Sequence, residues 1–204
     1  MLQTRTVEPA TLGLLKDLMS RTYLDQFSLV GGTALALQIG HRFSVDLDLF
    51  TTEPFIKEDL IEDLKLDYQV SVESESRNIV ITYINDVKVD FVKVPYPRIF
   101  PILNIEGIRL LDMRDIAPMK LSAVTQRGSK KDFYDLYFLL KKMTLEEMLN
   151  LYLNKFQNQT VFHVVKSLTY FDDAEKFPDP IVFDKKLTWN KIKNKIHDVV
   201  IKTI

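Results

Sequence analysis

The chain has no cysteine, which excludes disulfides and thiolate metal sites. Its histidines, His41, His163 and His197, are scattered, so a zinc centre is disfavoured and oxygen-ligand sites for hard cations remain. Charge of one sign is also lacking: 27 Lys and Arg face 28 Asp and Glu, a net charge of −1. No global basic field therefore recruits nucleic acid, and contact with RNA has to use a local patch. No apolar run approaches the ~20 residues needed to cross a bilayer. Met1-Leu2-Gln3-Thr4-Arg5 has no apolar core of a signal peptide. The expectation is a cytoplasmic protein with no membrane partner. At 204 residues, with 46% hydrophobic and 27% charged content, the chain reads as globular, with one large or two small domains.

What is present centres on residues 29–50. A short apolar run ends at Gly31-Gly32, Thr33 to Ile39 follows as a small-residue helix with Gly40 as its C-cap, and Val45 to Phe50 alternates as a strand. The period of two puts Asp46 and Asp48 on one face and turns Val45, Leu47 and Leu49 toward a core. Adjacent carboxylates repel unless a cation lies between them. Such oxygen ligands suit Mg²⁺, which takes one or two carboxylates and completes its shell with water and phosphate. The glycine pair at a strand-to-helix junction lets backbone N–H groups approach a phosphate. Taken singly, the glycine pair is an ordinary turn and the aspartates a solvated face.

Further along, Pro9 to Met19 reads as a helix with proline in its first turn, and Lys57 to Leu64 as another with Ile61 and Leu64 inward. Arg77–Ile84 and Val87–Val94, joined by Asn85-Asp86, predict an antiparallel hairpin. Asp90 sits in its second strand either as an exposed alternate beside Lys88 or as a third carboxylate. The prolines after Val94 break regular structure, and residues 108–111 read as a last strand or a helix lead. Asp112–Val124 predicts a helix interrupted by Pro118, with Lys120 in its body. Gly128 and Ser129 separate it from a helix in which Asp132 and Asp135 share a face. There Asp132 also suits the helix dipole. Thr144 and Glu147 form a capping-box pattern. Asp172–Glu175 reads as an acidic loop, and Trp189–Val200 as a basic amphipathic helix, solvated or facing RNA phosphates.

Gly-Gly-Thr-x-Leu, then Arg42-x-Ser44-x-Asp46-x-Asp48-Leu49, resembles the first motif of the DNA polymerase β-like nucleotidyltransferase superfamily, in the variant found in AbiEii-type toxins. Asp115-x-x-x-x-Lys120 and Arg127-x-x-x-Lys131-Asp132-x-x-Asp135 resemble later motifs of that family. The resemblance implies an α/β (α+β) nucleotidyltransferase core with a mixed, largely antiparallel sheet at residues 1–108. It also implies a C-terminal helical bundle at 109–204 that completes the active-site cleft. By it, Asp46, Asp48 and Asp90 hold Mg²⁺, with Asp90 as general base and Lys120 as a catalytic phosphate ligand. Gly31, Gly32, Thr33, Arg42, Ser44, Lys131, Asp132 and Asp135 bind the nucleotide. The implied reaction is nucleotidyl transfer from an NTP with release of pyrophosphate, tRNA being the favoured acceptor and a separately encoded antitoxin the partner. A small-molecule nucleotidyltransferase of the antibiotic-modifying kind and a non-catalytic nucleotide-binding protein are the alternatives.

Overall fold

The structure is a computed structural model and describes residues 1–157 and 159–203. Its contacts divide the chain into two units, Met1–Gly40 with Ser44–Asp112, and His41–Phe43 with Met113–Ile204.

The first unit is built on a seven-stranded sheet. Its strands are β1 (Ser28–Leu29), β2 (Leu47–Thr51), β3 (Val70–Ser76), β4 (Ile79–Ile84), β5 (Val87–Lys93), β6 (Leu103–Ile105) and β7 (Ile108–Leu110). The spatial order is β3-β4-β5-β2-β1-β7-β6. Among the described residues only β1–β7 and β2–β5 are parallel, so the sheet is mixed and mostly antiparallel, as the resemblance implies. The β4–β5 hairpin closes on Asn85 and Asp86 at φ 49° and 66°, a left-handed pair that short polar side chains tolerate. Three helices belong to this unit: α1 (Pro9–Ser20), α2 (Gly31–Ile39) and α3 (Lys57–Asp67). Leu14, Leu15, Leu18 and Met19 of α1 are buried. The inward face of α3 carries Leu60 and Leu64, one helical position away from the expected Ile61. Phe27 packs edge-on against both Phe55 and Phe91 at 5.3 Å between centroids. Arg109 ties the end of α1 to β1 by donating to the carbonyls of Met19, Leu24 and Phe27 at 2.8–2.9 Å.

The second unit is helical: α4 (Met113–Gln126), α5 (Lys130–Leu139), α6 (Leu145–Lys155), α7 (Val161–Leu168), α8 (Asp172–Glu175) and α9 (Trp189–Thr203). Residues 172–175, expected as a loop, form the short helix α8. Pro118 lies inside α4 and supplies no N–H to the carbonyl one turn back. The capping box of α6 is complete: the Thr144 hydroxyl accepts from the Glu147 N–H at 3.2 Å, and the Glu147 carboxylate accepts from the Thr144 N–H at 2.7 Å. Trp189 seals the core against Phe133, Tyr134 and Phe171. The strip His41–Phe43 pairs with residues 181–183, through Phe43 N–H to the Ile181 carbonyl at 2.8 Å and Phe183 N–H to the His41 carbonyl at 3.2 Å.

Candidate active site

In the first unit the site starts from strand register. Asp48 on β2 lies directly beside Asp90 on β5 in the parallel ladder, and neighbouring strands are about 4.8 Å apart. Both are half-buried on one sheet face, while Leu47, Leu49, Val89 and Phe91 fill the other. One oxygen of Asp90, Oδ1, is buried and has no hydrogen-bond partner among the described residues. Burial, and then the neighbouring Asp48, pushes the Asp90 carboxyl up to about 6, with Asp46 adding to the rise and Lys88 opposing it. Asp90 is thus on the carboxylate face with Asp48, and Lys88 reaches Glu73 at 3.2 Å.

Asp46 stands one residue ahead of the paired part of β2. Val45 beside it is 52% exposed, so it does not enter the core as expected: the ladder that would bury it has not yet begun. Among the described residues no three His, Asp or Glu side chains converge as a metal-binding group. The three aspartates share a neighbourhood, but only Asp48 and Asp90 are register partners.

The glycine turn meets this pair. Gly31 has φ +68°, and a Cβ built on it would run into the Asp48 carboxylate. Only glycine lets the start of α2 approach so closely. Gly31, Gly32 and Thr33 form the first turn of α2 behind the N-cap Val30, where N–H groups have no intrahelical acceptor. The buried Thr33 hydroxyl bonds to the Ser44 hydroxyl at 2.8 Å and to the Asp46 carbonyl. Thr33 and Ser44 therefore fix the backbone that leads into the two aspartates.

A divalent cation fits the Asp48–Asp90 pair. A buried oxygen with no donor among the described residues, beside a second carboxylate, is a donor set that suits a hard cation. Two carboxylates are also the usual protein share of a Mg²⁺ shell.

The other expected residues fall in the second unit as a buried ionic cluster around Asp135. Arg42 holds Asp135 with two parallel bonds, Nε at 2.6 Å and Nη2 at 3.0 Å. Lys120 Nζ lies 2.6 Å from Asp135 and 3.0 Å from Asp132. Arg127 Nε and Ser129 Oγ bond to Asp132 at 2.8 and 2.6 Å. Burial alone would raise both carboxyls. Lys120 and Arg127 outweigh it at Asp132, bringing it to about 2, and Arg42 and Lys120 do so at Asp135, which lies well below the usual range. Lys120, 5% exposed, has its ammonium committed to these two aspartates. Lys131 is exposed on the first turn of α5.

Two members of this cluster carry no assigned role in the sequence reading. His41 Nε2 is 2.7 Å from Asp135, its Nδ1 is buried without a partner among the described residues, and burial pulls its pKa down. Arg127 stands inside a quoted motif, and its pairing with Asp132 follows the spacing of five residues across the α4–α5 turn. A second buried pair, Lys155 with Asp115 at 2.7 Å, ties α6 to α4.

Comparison with known proteins agrees with this fold. An uncharacterized protein of Aquifex aeolicus, aq_aa25, is 38% identical over 168 residues, covering 79% of this chain and 82% of that one. Among solved structures, JHP933 from Helicobacter pylori superposes with a TM-score of 0.56 at 17% identity, over 96% of this chain and 92% of the other. MenT4, a nucleotidyltransferase toxin from Mycobacterium tuberculosis, superposes with a TM-score of 0.61 at 14% identity, over 94% and 83%. The family model of the nucleotidyl transferase AbiEii toxin of type IV toxin–antitoxin systems matches residues 13–200. With the glycine turn on Asp48 and the paired aspartates in place, the chain belongs to the AbiEii family of nucleotidyltransferase toxins.

Proposed function

We propose that this nucleotidyltransferase uses Mg²⁺ to move a nucleotidyl group from an NTP to a hydroxyl of an RNA acceptor, tRNA first, and that a separately encoded antitoxin restrains it in the cytoplasm. The carrying observation is the in-register Asp48–Asp90 pair with the unbonded Asp90 Oδ1. Asp48 and Asp90, with Asp46 beside them, would hold the cation. When bound, Mg²⁺ neutralises phosphate charge and lowers the pKa of the attacking hydroxyl.

The N–H groups of Gly31, Gly32 and Thr33 hold the terminal phosphates, in a dipole that favours anions. Asp90 takes the proton of the acceptor hydroxyl. The acceptor oxygen bonds to the α-phosphorus, the α–β phosphoanhydride bond breaks and pyrophosphate leaves. Ser44 and Thr33 keep Asp46 in place. Arg42, Lys120, Asp132 and Asp135 act through their mutual ion pairs, which fix the first turn of α5.

Incubation with each labelled NTP, Mg²⁺ and total tRNA tests the reading. We expect label on tRNA from at least one NTP, and a loss of about 100-fold or more in Asp48→Asn. Label on small hydroxyl compounds and none on tRNA would replace the acceptor. Undiminished transfer by Asp48→Asn would refute the carboxylate mechanism.

A further inference from the structure

The chain is near neutral, yet residues 185–204 hold six lysines and a single acid, Asp198. Some exposed or half-exposed lysines are paired: Lys57 with Glu75 at 2.7 Å, Lys88 with Glu73 at 3.2 Å, Lys176 with Asp173 at 2.7 Å and, on α9 itself, Lys193 with Glu175 at 2.8 Å. Lys185, Lys186, Lys191 and Lys195 are exposed. Among the described residues none of the four has a carboxylate partner.

The arrangement is held in place. Ile192, Ile196 and Val200 bury one face of α9. Trp189 is fixed by its N–H to Glu175 at 2.8 Å and by packing on Phe133 and Tyr134. Lys191 Nζ donates to the Lys186 carbonyl at 2.9 Å, which draws the preceding turn onto the helix. The nearby Asp184 carboxylate is turned to the Lys186 N–H at 3.0 Å. Lys191 and Lys195, four residues apart, share the outer face at a rise of about 6 Å. Cations gathered on one rigid surface without counter-charges repel one another, and a polyanion that displaces its counterions onto them relieves that repulsion.

We infer that Lys185, Lys186, Lys191 and Lys195, at the N-terminal end of α9, form a surface that binds the phosphate backbone of RNA. The choice of RNA over another polyanion rests on the proposed acceptor. The contacts are to backbone, so the surface gives affinity and salt dependence and little preference for sequence.

The test uses the full chain and fluorescently labelled bulk tRNA, with affinity measured by anisotropy across a KCl series. A Lys186→Gln/Lys191→Gln/Lys195→Gln variant is compared with a control, Lys16→Gln/Lys65→Gln/Lys142→Gln, whose lysines are exposed elsewhere. The expected result is at least tenfold weaker tRNA binding and a slope of log K against log salt reduced by about 2 in the first variant only, with NTP affinity by calorimetry unchanged. Equal slopes and affinities in the two variants would overturn the surface, as would poly-glutamate competing as well as RNA at equal charge. Salt-sensitive tRNA binding through these lysines, without any transfer of label, would sink the proposed acceptor and leave the surface standing.

Discussion

Asp135 is the hub whose removal tests the buried cluster. It is fully buried on α5 and accepts from Arg42 at 2.6 and 3.0 Å and from Lys120 at 2.6 Å, with His41 at 2.7 Å. Asp135→Asn keeps the volume and removes the charge. Lys120 then keeps Asp132 at 3.0 Å as its cluster anion. Neutralising one partner of a buried pair costs about 3–5 kcal/mol, because the other charge stays desolvated. For a chain of this length that corresponds to a fall in Tm of roughly 6–20 °C. Lys120→Met removes the stranded ammonium instead, so the double variant Asp135→Asn/Lys120→Met should be more stable than the two single losses add up to. The expected coupling is about 1–3 kcal/mol. Urea unfolding at pH 7, followed by circular dichroism with comparison of midpoints and slopes, measures all three. Single losses under about 1 kcal/mol, or strict additivity, would refute the view that these charges form one interdependent network.

Other outcomes follow from particular residues. Gly31→Ala places a methyl group against the Asp48 carboxylate at φ +68°. It should cost about 1–2 kcal/mol in backbone strain and about 100-fold in transfer rate by displacing that carboxylate, and a rate near that of the parent chain would count against the close approach. Gly13→Ala, in α1 with nothing within 4 Å of a new Cβ, should raise stability by about 0.5–1 kcal/mol in the same melts. Asp132 has a folded pKa of about 2 against 3.8, so its contribution is complete above about pH 5 and is lost as pH falls from there to about 2. That loss is about 2 kcal/mol. Asp135 acts in the same direction, and acid titration of the Asp132→Asn protein should show a shallower decline than that of the parent chain.

How much of this was legible in the sequence varies by element. The β4–β5 hairpin was, because Asn85-Asp86 is a turn signal between two alternating runs, and the α6 cap was, because Thr144 and Glu147 have the required spacing. The β6–β7 hairpin was not. Its strands have three residues each, follow a proline-rich stretch, and turn on Glu106 and Gly107 at φ 55° and 79°. The alternation around Asp46 was read as a strand two residues too early, since period alone says nothing about where pairing begins. For Lys120, helical position suggested a solvated or reaching side chain. Its enclosure by Asp132 and Asp135 depends on α4 and α5 folding against each other.

By itself the sequence determined the local chemistry: a glycine turn before a helix, two aspartates two residues apart at the start of a strand, an aspartate three residues into a hairpin's second strand, and the charged run of α4 and α5. These are set by backbone preferences and side-chain periods that act within a few residues. The tertiary structure decided which charges meet. It set Asp48 beside Asp90 across a parallel ladder 42 residues apart, and it carried His41 and Arg42 to Asp135 more than 90 residues away. Burying those side chains is tolerable only with partners in place, and no local rule in the sequence names a partner at that distance.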